Sequence, residues 1–196
     1  MGSMFDKKDL EGIRARLGRA DKQREVIIKD SRDIIKLSKQ VINLVHRSEM
    51  KKAEPHVRSI RMKMKALRKE AAKELRLSYI GSFKAAEQEF VEAITFFEWA
   101  KEGRIPTSKS LGVDDEHFIL GICDLPGELV RKAINAVINE DYKTATDIRD
   151  LVTAIYEELS KFHFLSGELR RKYDSIKYDL KRLDDLILEL KIRGTI

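Results

Sequence analysis

A regular apolar pattern runs through Gly167–Arg193, GELRRKYDSIKYDLKRLDDLILELKIR. Its apolar residues recur at alternating spacings of four and three, at Leu169, Tyr173, Ile176, Leu180, Leu183, Ile187 and Leu190. This average spacing of about 3.5 residues is typical of a helix that packs along a partner helix. The stretch therefore predicts a long C-terminal helix that belongs to a helical bundle.

Helical patterns also run through the N-terminal half of the chain. The first predicted helix extends from about residue 8 to residue 49, with apolar side chains at spacings of three and four: Val26, Ile27, Ile34, Leu37, Val41, Leu44 and Val45. Pro55 marks either a break or a first-turn position. A second helix follows to about Leu77, and its apolar stripe comprises Ile60, Met64, Leu67, Ala71 and Leu75.

Three further helices are predicted between Ser82 and His163. The third helix begins near Ser82 and stops at Gly103, and residues 107–113 form an irregular connection. The fourth is capped by Asp114 or Asp115, runs to about Asn139 and is kinked over 122–126 by its internal proline. The fifth runs from Asp141 to about His163. No strand pattern competes, so the sequence predicts an all-α fold over a single domain, residues 4–196.

The composition agrees with long amphipathic helices. Only 3 prolines and 10 glycines interrupt the chain, and 37% of its residues are charged. The single cysteine, Cys123, excludes an internal disulfide and is compatible with a cytoplasmic location. No apolar run approaches the roughly 18 residues that span a membrane. Met1-Gly2-Ser3 is interpreted as an expression scar.

The positive charge of the chain is concentrated in one stretch. Ten basic and three acidic residues lie between Lys51 and Arg76, and the formal net charge of the whole chain is +6. On a helix, one face would carry Arg58, Arg61, Lys65, Arg68, Lys69 and Arg76. Such a face is either a solvated helix surface or a surface for a polyanion such as nucleic acid.

Familiar enzyme motifs are missing from the sequence. It contains no glycine-rich phosphate loop, no Cys/His zinc spacing and no Gly-x-Ser-x-Gly elbow. The four histidines are scattered and are interpreted as structural. Cys123 lies in an apolar stretch and is interpreted as a small buried residue.

Two pairs of carboxylates occupy unexpected places. Glu89 and Glu92 are neighbours on the third helix, between Phe96 and Trp99 on one side and the main apolar stripe on the other. Asp124 and Glu128 repeat the arrangement in the proline-containing helix. Buried like charges are costly unless a positive group compensates them. Two acidic pairs on two helices are typical of a divalent-metal site in a bundle, and oxygen ligands favour Mg²⁺ or Mn²⁺.

Structural explanations of these acids stay open. Asp124 would serve as the cap of a helix that restarts after the kink, and Glu89 and Glu92 would pair with lysines of the basic second helix. If the acids hold a metal, the matching chemistry is cleavage of a phosphodiester bond.

Several blocks of the sequence resemble the translin/TRAX family. The segments Gln88–Ala93, QEFVEA, and Leu120–Arg131, LGICDLPGELVR, are similar to two TRAX motifs in the same order. Ser31-Arg32-Asp33, Ser38-Lys39 and His46-Arg47 also resemble TRAX, whereas Leu169–Asp179 and Ile192-Arg193-Gly194 resemble translin. Together the blocks cover the chain from about Asp21 onward.

The resemblance implies a translin-like bundle of about six to seven helices that assembles into a homo-octamer around single-stranded RNA. It also implies a Mg²⁺-dependent endoribonuclease, with single-stranded DNA as a further ligand. Glu89, Glu92 and Asp124 match the catalytic acids, with Glu128 as a further acidic metal ligand. Lys39 matches a lysine near the scissile phosphate, and Arg32 assists it. The nucleic-acid-binding residues would be Lys39, Arg32, Arg58, Arg61, Lys65 and Arg68.

Two other functions remain open. One is a non-catalytic protein that binds single-stranded RNA or DNA, the role of translin. The other is a helical scaffold whose basic face contacts an acidic protein.

Overall fold

The computed structural model describes residues 6–164 and 167–195, which contain eight helices and no strand. The predicted expression scar at residues 1–3 lies outside these described residues. In chain order the helices are α1 (Lys7–His46), α2 (Met50–Ala71), α3 (Leu75–Ser78), α4 (Gly81–Glu102), α5 (Ser108–Leu111), α6 (Asp115–Ile138), α7 (Tyr142–Ser160) and α8 (Gly167–Ile192). The all-α prediction is confirmed.

Capping residues define the boundaries of the long helices. The Asp114 side chain accepts a hydrogen bond from the backbone N–H of Glu116, and Asp141 does the same for Thr144. These bonds satisfy donors that a helix N-terminus leaves unpaired. Gly103 has φ 69°, a left-handed conformation that glycine adopts without a Cβ penalty, and it ends α4. The predicted boundaries at Asp114, Asp141 and Gly103 are confirmed.

Several predicted boundaries are wrong in the second helix. It ends at Ala71 because Glu74 is extended, and a separate α3 follows. Leu75 therefore leaves the apolar stripe and is exposed. Pro55 neither breaks α2 nor lies in its first turn, since the helix already begins at Met50.

Smaller differences lie elsewhere in the chain. The connection predicted as irregular contains α5, because Thr107 and Ser110 form a reciprocal capping box. The first helix ends at His46 rather than at residue 49, and the fifth ends at Ser160 rather than at His163. Val26 is exposed instead of buried, since the buried side chains of α1 begin at Ile27.

Two helices form the centre of the bundle. Helix α4 packs against α1, α2 and α6, and α6 packs against α4, α7 and α8. Helices α4 and α6 approach each other closely at Gly121, where an added Cβ would lie 2.6 Å from Val91 Cβ and 2.7 Å from the Gln88 carbonyl oxygen. Only glycine allows this approach, and it brings the acidic turns of both helices together.

Helix α6 continues through Pro126. The predicted apolar stripes of α4 and α8 contribute to one hydrophobic core, as does Cys123. No helix among the described residues is long and apolar enough to cross a membrane.

Candidate active site

The four acids predicted from the sequence lie on the two central helices. Glu89 and Glu92 are on α4, Asp124 and Glu128 are on α6, and all four are partly buried. The charge of Asp124 acts on both Glu89 and Glu92, and that of Glu128 acts on Glu92. The packing of α4 on α6 therefore gathers both pairs into one group, which we name the carboxylate site.

Burial destabilises the charged forms of three of these acids. It raises the pKa of Glu92 to about 8, and the negative charges of Asp124, Glu89 and Glu128 act in the same direction. Burial also raises the pKa of Glu89, against the opposing effect of Lys39. For Asp124, burial again raises the pKa and the Lys172 ammonium opposes it. The site thus holds more buried negative charge than its own cations neutralise.

Two lysines reach the carboxylate site from the surrounding helices. Lys39 of α1 lies with its Nζ 3.6 Å from Glu89 Oε1, and its side chain is 62% exposed. Arg32 is seven residues earlier on α1, so it lies near the same face of that helix, also exposed. Lys172 of α8 donates hydrogen bonds to Asp124 Oδ2 at 2.5 Å and to Gln88 Oε1 at 3.1 Å.

Glu128 differs from the other three acids because it has a histidine partner. His46 Nε2 lies 2.5 Å from Glu128 Oε2, and the His46 side chain is only 4% exposed. This hydrogen bond lowers the pKa of Glu128. The His46 ring also packs 5.0 Å from the Phe96 ring, which holds the imidazole in place. His46 therefore fixes the position of one member of the site.

The donor chemistry of the carboxylate site suits a hard divalent cation. Glu92 forms no ion pair with any described cation, and burial together with the neighbouring carboxylates raises its pKa to about 8. An oxygen-binding cation would relieve that repulsion. No three His, Cys, Asp or Glu side chains of the described residues are already arranged around a metal position. Asp124 is held by Lys172 through Oδ2 and Glu128 by His46 through Oε2, so an ion at the site would compete with these partners for the carboxylate oxygens.

Both structural alternatives for the acids are wrong. Asp124 lies in the middle of α6 and caps no helix. The lysine partners of Glu89 and Asp124 come from α1 and α8, not from the basic α2.

The basic α2 lies on the other side of α4. Arg61 pairs with Glu98 at 2.5 Å, and Arg68 pairs with Glu87 at 2.6 Å. At 100° per residue, Glu87 and Glu98 share a face of α4 that is roughly opposite to the face of Glu89 and Glu92. The structure therefore does not bring the predicted nucleic-acid-binding residues of α2 to the carboxylate site.

The residues of α2 also differ from one another. Arg68 supports the fold, since it donates to Glu87 and to the Leu111 carbonyl oxygen at 2.6 Å. Its partner Glu87 is only 3% exposed and also contacts His117. Arg58 and Lys65 are exposed and available to a ligand.

Sequence reasoning missed two groups at the site, Lys172 and the pairing of His46 with Glu128. Lys172 is a polar position in an ordinary heptad-like pattern, so the spacing of the apolar residues does not mark it. Lys172 lies within the translin-like block Leu169–Asp179 and His46 within a TRAX-like block, and the family resemblance was therefore the available signal for both.

Comparison with known proteins decides the family. The model of the translin family matches residues 22–194. The chain belongs to the translin family. An uncharacterised protein of Methanocaldococcus jannaschii is 30% identical over 162 residues, 81% of this chain and 72% of that protein.

Named members of the translin family are also similar. Translin-associated protein X of Pongo abelii is 26% identical over 215 residues, which cover 87% of this chain and 73% of that protein. Human translin is 29% identical over 86 residues, which cover only 38% of that protein and 44% of this chain.

Solved structures match over nearly the whole chain. The crystal structure of apo-NeC3PO has a TM-score of 0.88 at 26% identity and covers 95% of this chain and 98% of that one. The complex of AfC3PO with duplex RNA has a TM-score of 0.79 at 28% identity, with 94% and 97% covered. The translin-like fold predicted from the sequence motifs is confirmed.

Proposed function

We propose that this translin family member is a Mg²⁺-dependent endoribonuclease, a hydrolase that cleaves single-stranded RNA. The observation that supports this most is the carboxylate site, where three partly buried acids lie beside an exposed lysine. A protein that only binds polyanions gains nothing from buried negative charge beside phosphates. Mn²⁺ would serve as an alternative ion, since it also prefers oxygen ligands.

The side chains of the site have distinct roles in this proposal. Glu89, Glu92 and Asp124 hold the ion, and Glu128 supports them from its fixed position against His46. A divalent ion bound there supplies Lewis-acid activation and neutralises charge on the scissile phosphate. Lys39 is exposed and reaches the edge of the site at Glu89, so its ammonium stabilises phosphate charge. Arg32 extends this positive edge along α1.

RNA binding beyond the site rests on exposed cations and on assembly. Arg58 and Lys65 are free for phosphate contacts, but they lie on a different face from the carboxylate site. One RNA strand would contact both surfaces most simply if several subunits assemble into an oligomer. Large apolar side chains are exposed at Leu10 and Leu17 of α1 and at Leu188 and Ile192 of α8. Such surfaces are typical of subunit contacts, and they support a homo-oligomer, with eight copies as the number implied by the family resemblance. A cytoplasmic location stays a prediction.

A cleavage assay tests the proposal. Labelled single-stranded RNA is incubated with protein in Mg²⁺, in Mn²⁺ or in EDTA, and single-stranded DNA and duplex RNA are run in parallel because AfC3PO was solved with duplex RNA. We expect cutting of single-stranded RNA that EDTA stops. Asp124→Asn and Glu92→Gln should abolish cutting and retain RNA binding. Asp115→Asn, an exposed acid on the same helix α6, is the matched control and should cut normally.

The rival function is a non-catalytic protein that binds single-stranded RNA or DNA. Its supporting observation is that Asp124 and Glu128 already have partners within the fold, the Lys172 ammonium for Asp124 and both His46 and the Arg131 guanidinium for Glu128. RNA retention without cutting in any metal would favour this rival. Cutting by both acid variants at the wild-type rate would show that the reaction occurs elsewhere. Native mass measurement gives the subunit number independently.

A further inference from the structure

Lys172 links α8 to both central helices through a single ammonium group. Its Nζ donates to Asp124 Oδ2 on α6 at 2.5 Å and to Gln88 Oε1 on α4 at 3.1 Å. The side chain is 26% exposed, so much of its stem is packed into the bundle. Removing it would leave Asp124 partly buried without an ion-pair partner among the described residues.

The charge of Lys172 acts on more than its direct partner. It stabilises the ionised forms of Glu89, Glu92 and Asp124, the three acids assigned to the ion. Lys39, in contrast, contacts Glu89 from the exposed edge. Lys172 is therefore the cation that compensates the interior of the carboxylate site.

Lys172 and a divalent ion cannot both use Asp124 fully. An ammonium hydrogen bond occupies a lone pair of Oδ2, and Mg²⁺ binds carboxylate oxygens at about 2.0–2.1 Å. A second cation placed that close would repel the ammonium in a partly buried setting. The flexible four-carbon stem of lysine allows the ammonium to swing away without moving the backbone.

We propose that Lys172 is a tethered counter-ion of the carboxylate site, which holds Asp124 when no divalent ion is bound and leaves it when one binds. Lys172 thus sets the affinity for the metal by competing with it. The inference rests on the proposed function only in the assignment of the ion to Glu89, Glu92 and Asp124.

The test compares Lys172→Met with a matched control, Lys84→Met. Lys84 is 29% exposed and likewise joins three helices, since it lies on α4 and pairs with Glu116 of α6 and Glu168 of α8. It contacts none of the three acids. Mn²⁺ binding to each full-length variant is measured by calorimetry at one pH without RNA, and thermal unfolding is measured in EDTA and in Mn²⁺.

Lys172→Met should bind Mn²⁺ about tenfold more tightly than the wild type, a typical size for coupling between two competing ligands. Its unfolding temperature should drop in EDTA and recover in Mn²⁺ by more than that of Lys84→Met. Lys172→Arg retains the charge and should bind Mn²⁺ no more tightly than the wild type. If Lys172→Met does not fold, the uncharged Lys172→Gln takes its place and should likewise bind Mn²⁺ more tightly than the wild type.

Equal Mn²⁺ affinity for wild type, Lys172→Met and Lys84→Met would overturn the inference, as would tighter binding by Lys172→Arg. The proposed nuclease would survive that result if the wild type still cuts RNA in Mn²⁺. Conversely, suppose that the wild type fails to cut RNA while Lys172→Met binds Mn²⁺ more tightly. That result would contradict the proposed endoribonuclease activity and support the counter-ion role of Lys172.

Discussion

Replacing Gly121 with alanine should separate the two central helices that carry the carboxylate site. The new Cβ would lie 2.6 Å from Val91 Cβ and 2.7 Å from the Gln88 carbonyl oxygen. Carbon atoms pack at about 3.5–4.0 Å, so α4 or α6 must move by about 1 Å. The Gln88 contact is with backbone, so rotation of a side chain cannot relieve it.

Gly127→Ala is the matched control on the same helix. No heavy atom lies within 4 Å of its added Cβ. Both substitutions gain the same helix propensity, about 1 kcal/mol for alanine over glycine. The difference in unfolding free energy between the two variants therefore isolates the steric clash, and it should be about 1–3 kcal/mol, the usual cost of overpacking.

The measurement is urea unfolding followed by helical circular dichroism at one fixed protein concentration, because assembly couples stability to concentration. Gly127→Ala should be slightly more stable than the wild type and bind Mn²⁺ normally. Gly121→Ala should be less stable than Gly127→Ala and bind Mn²⁺ more weakly, since the acidic turns move apart. Equal stability and equal Mn²⁺ affinity of the two variants would refute the assigned role of the close approach.

Three further outcomes follow from the charges of the fold. The pKa of Glu92 is raised from 4.5 to about 8. Between these pH values the folded protein keeps a proton that the unfolded chain loses. The free energy of unfolding in EDTA should therefore fall as pH rises from about 4.5 to 8. This fall is at most about 1.4 kcal/mol per pH unit for one group. Urea unfolding at several pH values should show a weaker pH dependence for Glu92→Gln than for the wild type. An unchanged pH dependence in Glu92→Gln would count against a raised pKa of Glu92. Arg68→Ala should cost about 3–5 kcal/mol because it leaves Glu87 buried without its arginine, whereas the exposed Arg58→Ala should cost less than about 0.5 kcal/mol. Thermal unfolding compares the two, and equal losses would exclude a structural role for Arg68. Lys39→Ala should weaken single-stranded RNA binding and reduce the salt slope by about 0.7, and an unaltered slope would place Lys39 away from the RNA.

The helices and most of their ends followed from local sequence. Apolar spacing within α4 and α8 predicted which side chains are buried, because a regular helix fixes the direction of each side chain relative to its neighbours. Asp114, Asp141 and Gly103 predicted helix ends because capping depends on residues within a few positions. No such capping residue marks the extended backbone at Glu74, so the prediction that the second helix continues to Leu77 was wrong.

The candidate acids were also visible in the sequence. Carboxylates between apolar side chains stand out whatever the neighbouring helix is, so Glu89, Glu92 and Asp124 were found from their spacing and surroundings. The resemblance to translin family motifs then placed these three acids ahead of Glu128 as candidate metal ligands. The basic stretch around Arg58 was equally visible, but its position relative to the acids was not.

Local sequence was therefore enough to identify the helical segments, their apolar faces and the carboxylates that lie between apolar side chains. The partners of those carboxylates depended on the tertiary structure. Lys172 reaches Asp124 across 48 residues and Gln88 across 84, and Arg68 turns to Glu87 rather than to the carboxylate site. Helix geometry is local and can be read along the chain, whereas the charge that faces a buried carboxylate depends on how separate helices pack.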